Sequence, residues 1–319
     1  MCELPRSAAA VVRAAELAGP NATVQAMRAL AGGTHARTWL IRTADPVIEV
    51  ILREFPPGDG SASYEARVLT ILDGLDGLAP RLLASDAGTS DTGTSDMGGT
   101  ASGGSWVLIS RLPGTADITL GQPLTSARQL GSTLARIHAT SLNRLTGLQS
   151  VYDRPGGSFA AISGPAASLV AASRELLASA PGVLTHHDFW SGNVVWADGV
   201  LTGVVDWSGG AIGSPGLDAA WCRLDLYLLH DERAADVFLD SYEAASGSAL
   251  PDPLLWDLWA VARSHQDVET WVPNYRDLGR GDLTAGELRN RHTAWTERLL
   301  ARWTERLLAR WTERLPANR

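Results

Sequence analysis

Three polar residues in the middle of the 319-residue chain have the types and spacing of a site that handles phosphate. Asp188 and Asn193 lie five positions apart, and Asp206 follows after an apolar segment. An amide oxygen and a carboxylate that converge suit Mg²⁺ carrying phosphates, because this ion takes few protein oxygens and keeps several waters. A carboxylate beside them can accept the proton of a hydroxyl nucleophile. The triplet therefore predicts phosphoryl transfer to a hydroxyl, with Asp188 as the base and Asn193 and Asp206 as Mg²⁺ ligands.

The segment between Asn193 and Asp206 indicates how these side chains converge. Its Asp198-Gly199 pair is a strong signal for a two-residue hairpin turn. With that turn, Asn193 pairs with Val204, and Asp206 is the next residue on the same face. We therefore expect Asn193 and Asp206 to project together from the base of one hairpin, with the catalytic loop leading into it.

This stretch resembles the catalytic loop and metal-binding segment of protein kinases. His186, two residues before Asp188, gives it the form typical of the aminoglycoside phosphotransferase and choline kinase family. In that family the first Asp is the base, and the Asn and the second Asp hold Mg²⁺, which are the roles given above. The resemblance also implies that His186 supports the loop and that Asp218 braces it. Where the family usually has Gly, this chain has His187, a change that removes no functional group.

The resemblance continues, over about residues 25–245, into a site for ATP or GTP. The loop at 31–38, between a predicted helix and a strand, is similar to the loop that covers the nucleotide, where glycines let backbone amides approach phosphates. Arg53 stands where kinases place a phosphate-binding Lys, and Glu65 matches the glutamate that pairs with it. Residues 105–112 resemble the hinge that meets the purine edge. The nucleotide-binding residues implied in this way are Gly32, Gly33, Thr34, His35, Arg53, Glu65, Ile109 and Arg111.

The elements around these motifs predict an α+β chain with a two-lobed, protein-kinase-like fold. Strands are expected over 38–43, 47–53 and 105–110, and a helix over 63–72. From about residue 123 the pattern is mainly helical, apart from the hairpin. We expect a β-rich, nucleotide-binding lobe at 1–112 and a larger catalytic and acceptor-binding lobe at 113–319. Helical spacing predicts a set of core residues before residue 230, namely Leu217, Trp221, Leu224 and Leu228.

Two segments look like sequence expansions. Residues 87–104 consist almost entirely of Gly, Ser, Thr, Ala and Asp, and they predict a disordered loop of the first lobe. The octapeptide TERLLARW occurs at 296–303 and again at 304–311, which predicts a repeat-extended terminal helix over 295–319. Its apolar residues step by four, so their row should spiral around the helix rather than form a flat face. A helix that joins two copies of the chain in a homodimer is the alternative interpretation.

Composition excludes several classes of partner. The net charge is −8, all 27 basic residues are Arg, and no stretch clusters them as a nucleic-acid groove requires. No uncharged run is a convincing membrane span, and the first 20 residues do not resemble a signal peptide. Two cysteines, Cys2 and Cys222, fit a reducing compartment, and Cys222 is predicted to be a core residue. We therefore expect a cytoplasmic protein that binds neither nucleic acid nor membrane.

The acceptor is expected to be a polar compound that carries amino groups, such as an aminoglycoside or an amino sugar. Between residues 225 and 287 the chain has 13 acidic residues and only four arginines. Carboxylates that line a cleft would concentrate a cationic substrate. Asp267 and Glu269, which flank Val268 and precede Trp271, are the two predicted to face the cleft.

Three other functions compete with this interpretation. One is a kinase of a cellular metabolite of the choline, homoserine or sugar type, since one fold serves many acceptors. Another is an inactive nucleotide-binding regulator, which only the replacement of Lys by Arg53 supports. The third is a metal phosphohydrolase that would use His138, His187, Asp188 and Asp206. The last is disfavoured because those enzymes place the His-Asp pair on a helix, whereas here the pair runs into a hairpin.

Overall fold

The computed structural model describes residues 5–31, 35–86, 105–119, 121–153 and 159–314. The first part of the chain forms a five-stranded antiparallel sheet with a helix against each face. The strands are β1 (Thr23–Leu30), β2 (Arg37–Ala44), β3 (Glu49–Glu54), β4 (Leu82–Ser85) and β5 (Trp106–Ser110), and the helices are α1 (Ala8–Ala18) and α2 (Ser61–Leu72). The strand order is β1-β2-β3-β5-β4, so β3 lies at the centre.

Neighbouring side chains of β3 point to opposite faces of the sheet, and this separates the core from the site. Val50 and Leu52 are buried in one cluster with Ala14 of α1. Arg53 points to the other face, where its guanidinium reaches Glu65 of α2. The central strand thus places the buried positive charge of Arg53 on the face of the sheet where the nucleotide is expected to bind.

The strands expected over 38–43, 47–53 and 105–110 and the helix expected over 63–72 are confirmed to within two residues at each end. The helix expected before the loop at 31–38 is wrong, because Thr23–Leu30 forms the edge strand β1 paired with β2. Its Gln, Ala, Met, Arg and Leu residues favour a helix by intrinsic propensity. Pairing with β2 overrides that preference. The loop predicted over 87–104 lies outside the described residues.

The second part of the chain is mainly helical. Its helices are α3 (Pro123–His138), α4 (Ala167–Ala172), α5 (Arg174–Ala178), α6 (Gly216–Leu229), α7 (Glu232–Ser246), α8 (Pro253–Ser264), α9 (Val272–Asp277) and α10 (Ala285–Arg314). Its short strands are β6 (Val183–Thr185), β7 (Val194–Ala197), β8 (Val200–Val204) and β9 (Ala211–Gly213), of which β6 pairs with β9 and β7 with β8. The α+β organisation is therefore confirmed, and the lobe boundary at residues 112 and 113 stays a prediction.

Helix α6 is the buried centre of this helical part. Leu217, Leu224 and Leu228 are fully buried, as predicted, and Cys222 is buried as the expected core residue. Helices α3 and α7 pack together so closely that a Cβ at Gly131 would lie 2.3 Å from a backbone oxygen of α7. The core of α3, α6, α7 and α8 holds the loop before β7 from one side.

The terminal helix α10 runs from the core out to solvent. Trp295, just before the repeat, and Leu299 in its first copy are fully buried, whereas Leu307 and Trp311 in the second copy are 49% and 61% exposed. Residues 307–312 are exposed on all sides of the helix, so the spiral of the apolar row stays a prediction. The homodimer stays a prediction.

Candidate active site

The hairpin of β7 and β8 forms around the predicted turn. Asp198 and Gly199 have φ angles of 52° and 76°, which a tight primed turn requires. The predicted pairing of Asn193 with Val204 is wrong by one residue. A β-bulge shifts the register, so that Val194 is the partner of Val204.

Asn193 and Asp206 nevertheless flank the base of this hairpin. The Val205 N–H donates to the Asn193 carbonyl oxygen over 2.8 Å, which ties the two ends together just below the ladder. Asp206 has a left-handed φ of 62°, which turns the chain out of β8 at this point. The two side chains therefore meet at one place, although by a different register from the one expected.

Asp218 of α6 holds the backbone of the loop that contains the predicted base. Its carboxylate accepts the N–H groups of His186 and His187, each over 2.7 Å, and lies 3.3 Å from the His138 ring. Burial alone would raise the pKa of Asp218, but hydrogen bonds and charge from His138 and His186 lower it below its ordinary value. The buried His186 ring bonds the Val205 carbonyl over 2.8 Å. His187 has a φ of 67°, a backbone conformation that glycine adopts more easily, which is consistent with the family's usual Gly.

The carboxylate of Asp188 is held at both oxygens. Oδ2 accepts from the Asn193 amide over 2.8 Å, and Oδ1 accepts from the Trp221 indole over 3.0 Å. Burial, and then the charge of Asp206, raise the pKa of Asp188 to about 6. Trp221 was expected to be a core residue, and this is wrong. It is half-buried at a cavity wall, because the face of α6 that carries it turns toward the loop.

Arg53 joins the sheet, α2 and the hairpin through one guanidinium. It donates to Glu65 over 2.7 Å and to Asp206 over 2.8 Å. Burial raises the pKa of Glu65 to about 7, although the charge of Arg53 opposes the shift. At Asp206, burial also tends to raise the pKa, but the charge and hydrogen bond of Arg53, together with the Ser208 hydroxyl and His186, lower the pKa below its ordinary value. The expected Arg53–Glu65 pair is therefore present, and Asp206 shares the cation.

A cavity of about 290 Å³ opens between the sheet and the hairpin. Arg53, Asn193 and Asp206 line it, as do Ile109 of β5 and the adjacent Arg111. Its apolar lining includes Leu30, Leu40, Ile51, Ile109, Leu112, Val195 and Val205. A cavity with an apolar wall that also contains Arg53 and Asp206 has the polarity for a base and its phosphates.

The predicted phosphate loop is only partly described. Gly32, Gly33 and Thr34 lie outside the described residues, so their role stays a prediction. His35 is described, and its Nε2 atom lies 2.6 Å from a carboxylate oxygen of Asp59 near the surface. Arg111 makes an ion pair with Glu49 of β3, so its side chain is held against the sheet.

A second cavity of about 390 Å³ lies on the other side of the predicted metal ligands. Asn193 and Asp206 line both cavities, and Asp188 lines only the second among the residues described for each. The remaining lining residues are Trp190, Trp221, Asp225, Asp267, Thr270, Trp271, Asn274 and Tyr275. Within the described part of the chain, its wall carries four carboxylates and no basic side chain.

Only one of the two carboxylates predicted to face the cleft does so. Asp267 lines the second cavity. Glu269 is not among its described lining residues, and its carboxylate makes an ion pair with Arg289 of α10 instead. The expectation for Glu269 is therefore wrong, because it lies on a short 3₁₀ turn whose side chains point in different directions.

Sequence reasoning missed most of the second cavity. Asp225, counted only as part of an acidic segment, is buried and accepts hydrogen bonds from Ser191 and from the Tyr275 hydroxyl. Burial raises its pKa to about 6. One signal could have found it, since Asp225 follows Asp218 by two helical turns and so shares its face of α6. Trp190 and Tyr275 carried no comparable signal.

The residues at the boundary of the two cavities fit Mg²⁺ by their donor chemistry. The amide nitrogen of Asn193 is used by Asp188, which leaves its oxygen as the group for a cation. Asp206 has a carboxylate that stays ionised at neutral pH. One amide and one carboxylate are enough for an ion that also takes phosphate oxygens and waters.

The phosphohydrolase alternative is wrong. His138 is buried between Tyr242 and Asp218, at 2.9 Å and 3.3 Å, and so is engaged in supporting the loop. In the described residues, no cluster of three His, Cys, Asp or Glu side chains could hold a metal.

The described helices also include none with the length and hydropathy of a membrane span.

Solved structures with a similar fold include antibiotic phosphotransferases. Macrolide 2'-phosphotransferase MphH from Brachybacterium faecium superposes with a TM-score of 0.55 and 19% identity, covering 90% of this chain and 96% of that one. A thermostable mutant of aminoglycoside phosphotransferase APH(4)-Ia, in ternary complex with ADP and hygromycin B, gives 0.53 and 17%, covering 86% and 94%. These likenesses confirm the two-lobed, kinase-like fold.

Sequence comparison identifies the family. No curated protein sequence matches significantly. The profile of the phosphotransferase enzyme family, however, matches residues 26–259, which is more than half of the chain and includes both cavities' shared residues. The chain belongs to the phosphotransferase enzyme family.

Proposed function

We propose that this phosphotransferase is a small-molecule kinase that moves the γ-phosphoryl group of ATP or GTP to a hydroxyl of an amine-bearing acceptor. One observation carries the proposal. Asn193 and Asp206 line both cavities, so a phosphoryl group held by them would have the donor on one side and Asp188 on the other. Transfer across such a boundary requires little movement of the reactants.

The first cavity supports a nucleoside triphosphate as the donor. Its apolar wall suits a purine, and Arg53 would meet phosphate oxygens as a planar fork rather than as the point charge of a lysine. Glu65 holds that fork from behind. Among the solved relatives, mutants of APH(4)-Ia bind ADP or AMP-PNP, which favours ATP for this chain as well.

The second cavity supports a cationic acceptor. Four carboxylates line it, and the negative field they create would attract ammonium groups. The rings of Trp190, Trp221, Trp271 and Tyr275 offer flat apolar faces for a sugar ring and for cation–π contact with an amine. A volume of about 390 Å³ is in the range of small-molecule sites.

In this mechanism Asp188 accepts the proton of the acceptor hydroxyl as that oxygen attacks the γ-phosphorus, and the bond from this phosphorus to the bridging oxygen breaks, so that nucleoside diphosphate leaves. Asn193 and Asp206 would hold Mg²⁺, which when bound neutralises charge on the transferring phosphates. Arg53, which Glu65 keeps in place, would contact the phosphates from the wall of the first cavity. The two-sided hydrogen bonding of Asp188 fixes the base toward the acceptor cavity.

A kinase of the choline type is the second candidate. Aromatic rings combined with carboxylates also suit a quaternary ammonium group, as the second cavity would offer. An inactive regulator has less support, because nucleotide binding alone does not require a buried carboxylate aimed at an acceptor cavity.

A panel of acceptors tests the proposal. ATP and GTP are each offered with Mg²⁺ and with aminoglycosides, macrolides, amino sugars, choline, homoserine and neutral sugars, and release of nucleoside diphosphate is measured. We expect acceptor-dependent release with amine-bearing compounds only. The matched control is Asp188→Asn, which keeps the size of the side chain. Turnover of neutral sugars alone would contradict the acceptor class, and no acceptor-dependent turnover by any compound would contradict the kinase.

A further inference from the structure

One face of α6 contacts the loop before β7 at three points. Asp218, Trp221 and Asp225 are spaced by three and four residues, so they lie within roughly 60° of one another around the helix. Asp218 accepts two backbone N–H groups at the start of the loop. Asp225 accepts the N–H and the hydroxyl of Ser191 at the end of the loop, over 3.1 Å and 2.5 Å. Trp221 lies between these two anchors.

Trp221 contacts the reactive side chain itself. Its indole Nε1–H donates to Oδ1 of Asp188 over 3.0 Å, while Asn193 donates to Oδ2 over 2.8 Å. A carboxylate with one donor on each oxygen cannot rotate about its Cβ–Cγ bond without losing both hydrogen bonds. Asn193 comes from the loop itself, so among the described residues Trp221 is the donor that fixes the carboxylate relative to the helical core.

The geometry points to Trp221 as a positioning residue for phosphoryl transfer, which holds the Asp188 carboxylate in the orientation that accepts the acceptor's proton. This inference depends on the proposed function, since it assigns Asp188 as the base. Trp221 acts through Asp188, and its ring at the same time forms part of the acceptor cavity wall.

An indole is chemically suited to this task. It is only a hydrogen-bond donor and carries no charge, so it orients a carboxylate without neutralising it as Arg or Lys would. The ring is itself held in place by Trp271 and Trp259, whose centroids lie 5.4 Å and 6.3 Å from its own. The donor therefore has little freedom to leave Asp188.

Trp221→Phe removes the N–H and keeps a ring in the same position. We expect kcat to fall by roughly 10- to 100-fold, because a misplaced base costs rate rather than binding, while the KM for nucleotide stays within about twofold. Trp259→Phe is the matched control, since it makes the same change in a ring that packs on Trp221 and is not among the residues described as lining the cavity. If Trp259→Phe lowers kcat as much as Trp221→Phe does, packing and not the hydrogen bond is responsible, and the inference is overturned.

A double-mutant cycle tests whether Trp221 works through the base. In an Asp188→Asn background no base remains to be positioned, so adding Trp221→Phe should leave the residual rate unchanged within about twofold. A further loss of tenfold or more in the double variant would mean that Trp221 has an independent role.

A spectroscopic measurement keeps the inference separate from the proposed function. The chain has 12 tryptophans, and Trp221→Phe identifies the Trp221 indole signal in a ¹H–¹⁵N spectrum. Asp188→Ala should move that signal upfield by loss of its acceptor, and it should leave the signal of Trp303 in α10 unchanged. An unmoved Trp221 signal would overturn the inference even in an active kinase. A moved signal in a protein that phosphorylates no acceptor would instead refute the kinase.

Discussion

Replacing Arg53 by Met tests the buried ion-pair network that joins β3, α2 and the hairpin. Arg53 and Glu65 have side chains only 7% and 1% exposed, and Arg53 also bonds Asp206. Removing one partner of a buried pair costs about 3–5 kcal/mol, because the remaining charge is left in a poor environment. Two carboxylates would be left here, which favours the upper part of that range. The raised pKa of Glu65, about 7, lets it take up a proton and moderates the loss.

The assay is thermal unfolding at pH 7 without nucleotide. For a chain of this size about 1 kcal/mol corresponds to roughly 2 °C, so Arg53→Met should melt about 6–10 °C below the wild type. Arg53→Lys keeps the positive charge but loses the planar guanidinium. Its melting temperature should therefore lie between those of the wild type and Arg53→Met. The matched control is Arg81→Met, which breaks an ion pair with Asp73 whose side chains are 63% and 72% exposed, and which should cost less than about 1 kcal/mol. Equal melting of Arg53→Met and Arg81→Met would refute the buried network.

Three further predictions concern the base, the acceptor and a loop. Because the pKa of Asp188 is raised to about 6, its carboxylate is protonated below that pH. We therefore expect kcat/KM to fall about tenfold for each pH unit below 6. A profile of kcat/KM that is flat down to pH 5 would contradict this. Asp267→Asn should raise the KM of a cationic acceptor severalfold, and the increase should be smaller at high salt. The matched Glu269→Gln should leave this KM unchanged. Equal effects of the two substitutions in steady-state kinetics would exclude a role specific to Asp267. Deleting residues 87–104 and closing the β4–β5 hairpin with a short turn should change the melting temperature by less than about 3 °C, and a larger drop would mean that the segment packs on the fold.

The sequence best predicted the part of the site whose residues lie close together along the chain. Asp188, Asn193 and Asp206 lie within one loop and one hairpin, and the Asp-Gly turn alone brings the last two together. Although the predicted strand register is wrong by one residue, Asn193 and Asp206 still lie together at the base of the hairpin. A bulge depends on how a strand meets its surroundings, which turn chemistry does not encode.

The acceptor cavity was far less predictable. Trp221 and Tyr275 come from helices that begin more than 20 residues after Asn193, and whether an aromatic residue at helical spacing faces the core or a cavity is decided by tertiary packing. Glu269 was predicted to face the cavity like Asp267, two positions away. Its carboxylate instead forms an ion pair with Arg289 on a distant helix. The helix expected over part of Thr23–Leu30 failed for the same reason, because pairing with β2 decided its conformation.

The most direct measurement of the central claim separates the base from the metal ligand. Asp188→Asn should lower phosphoryl transfer by at least about 10²-fold, while isothermal titration shows Mg²⁺-dependent nucleotide binding within about twofold of the wild type. Asp206→Ala should remove the Mg²⁺-dependent part of that binding. Wild-type turnover in Asp188→Asn, or unchanged Mg²⁺-dependent binding in Asp206→Ala, would contradict the roles assigned to these two carboxylates.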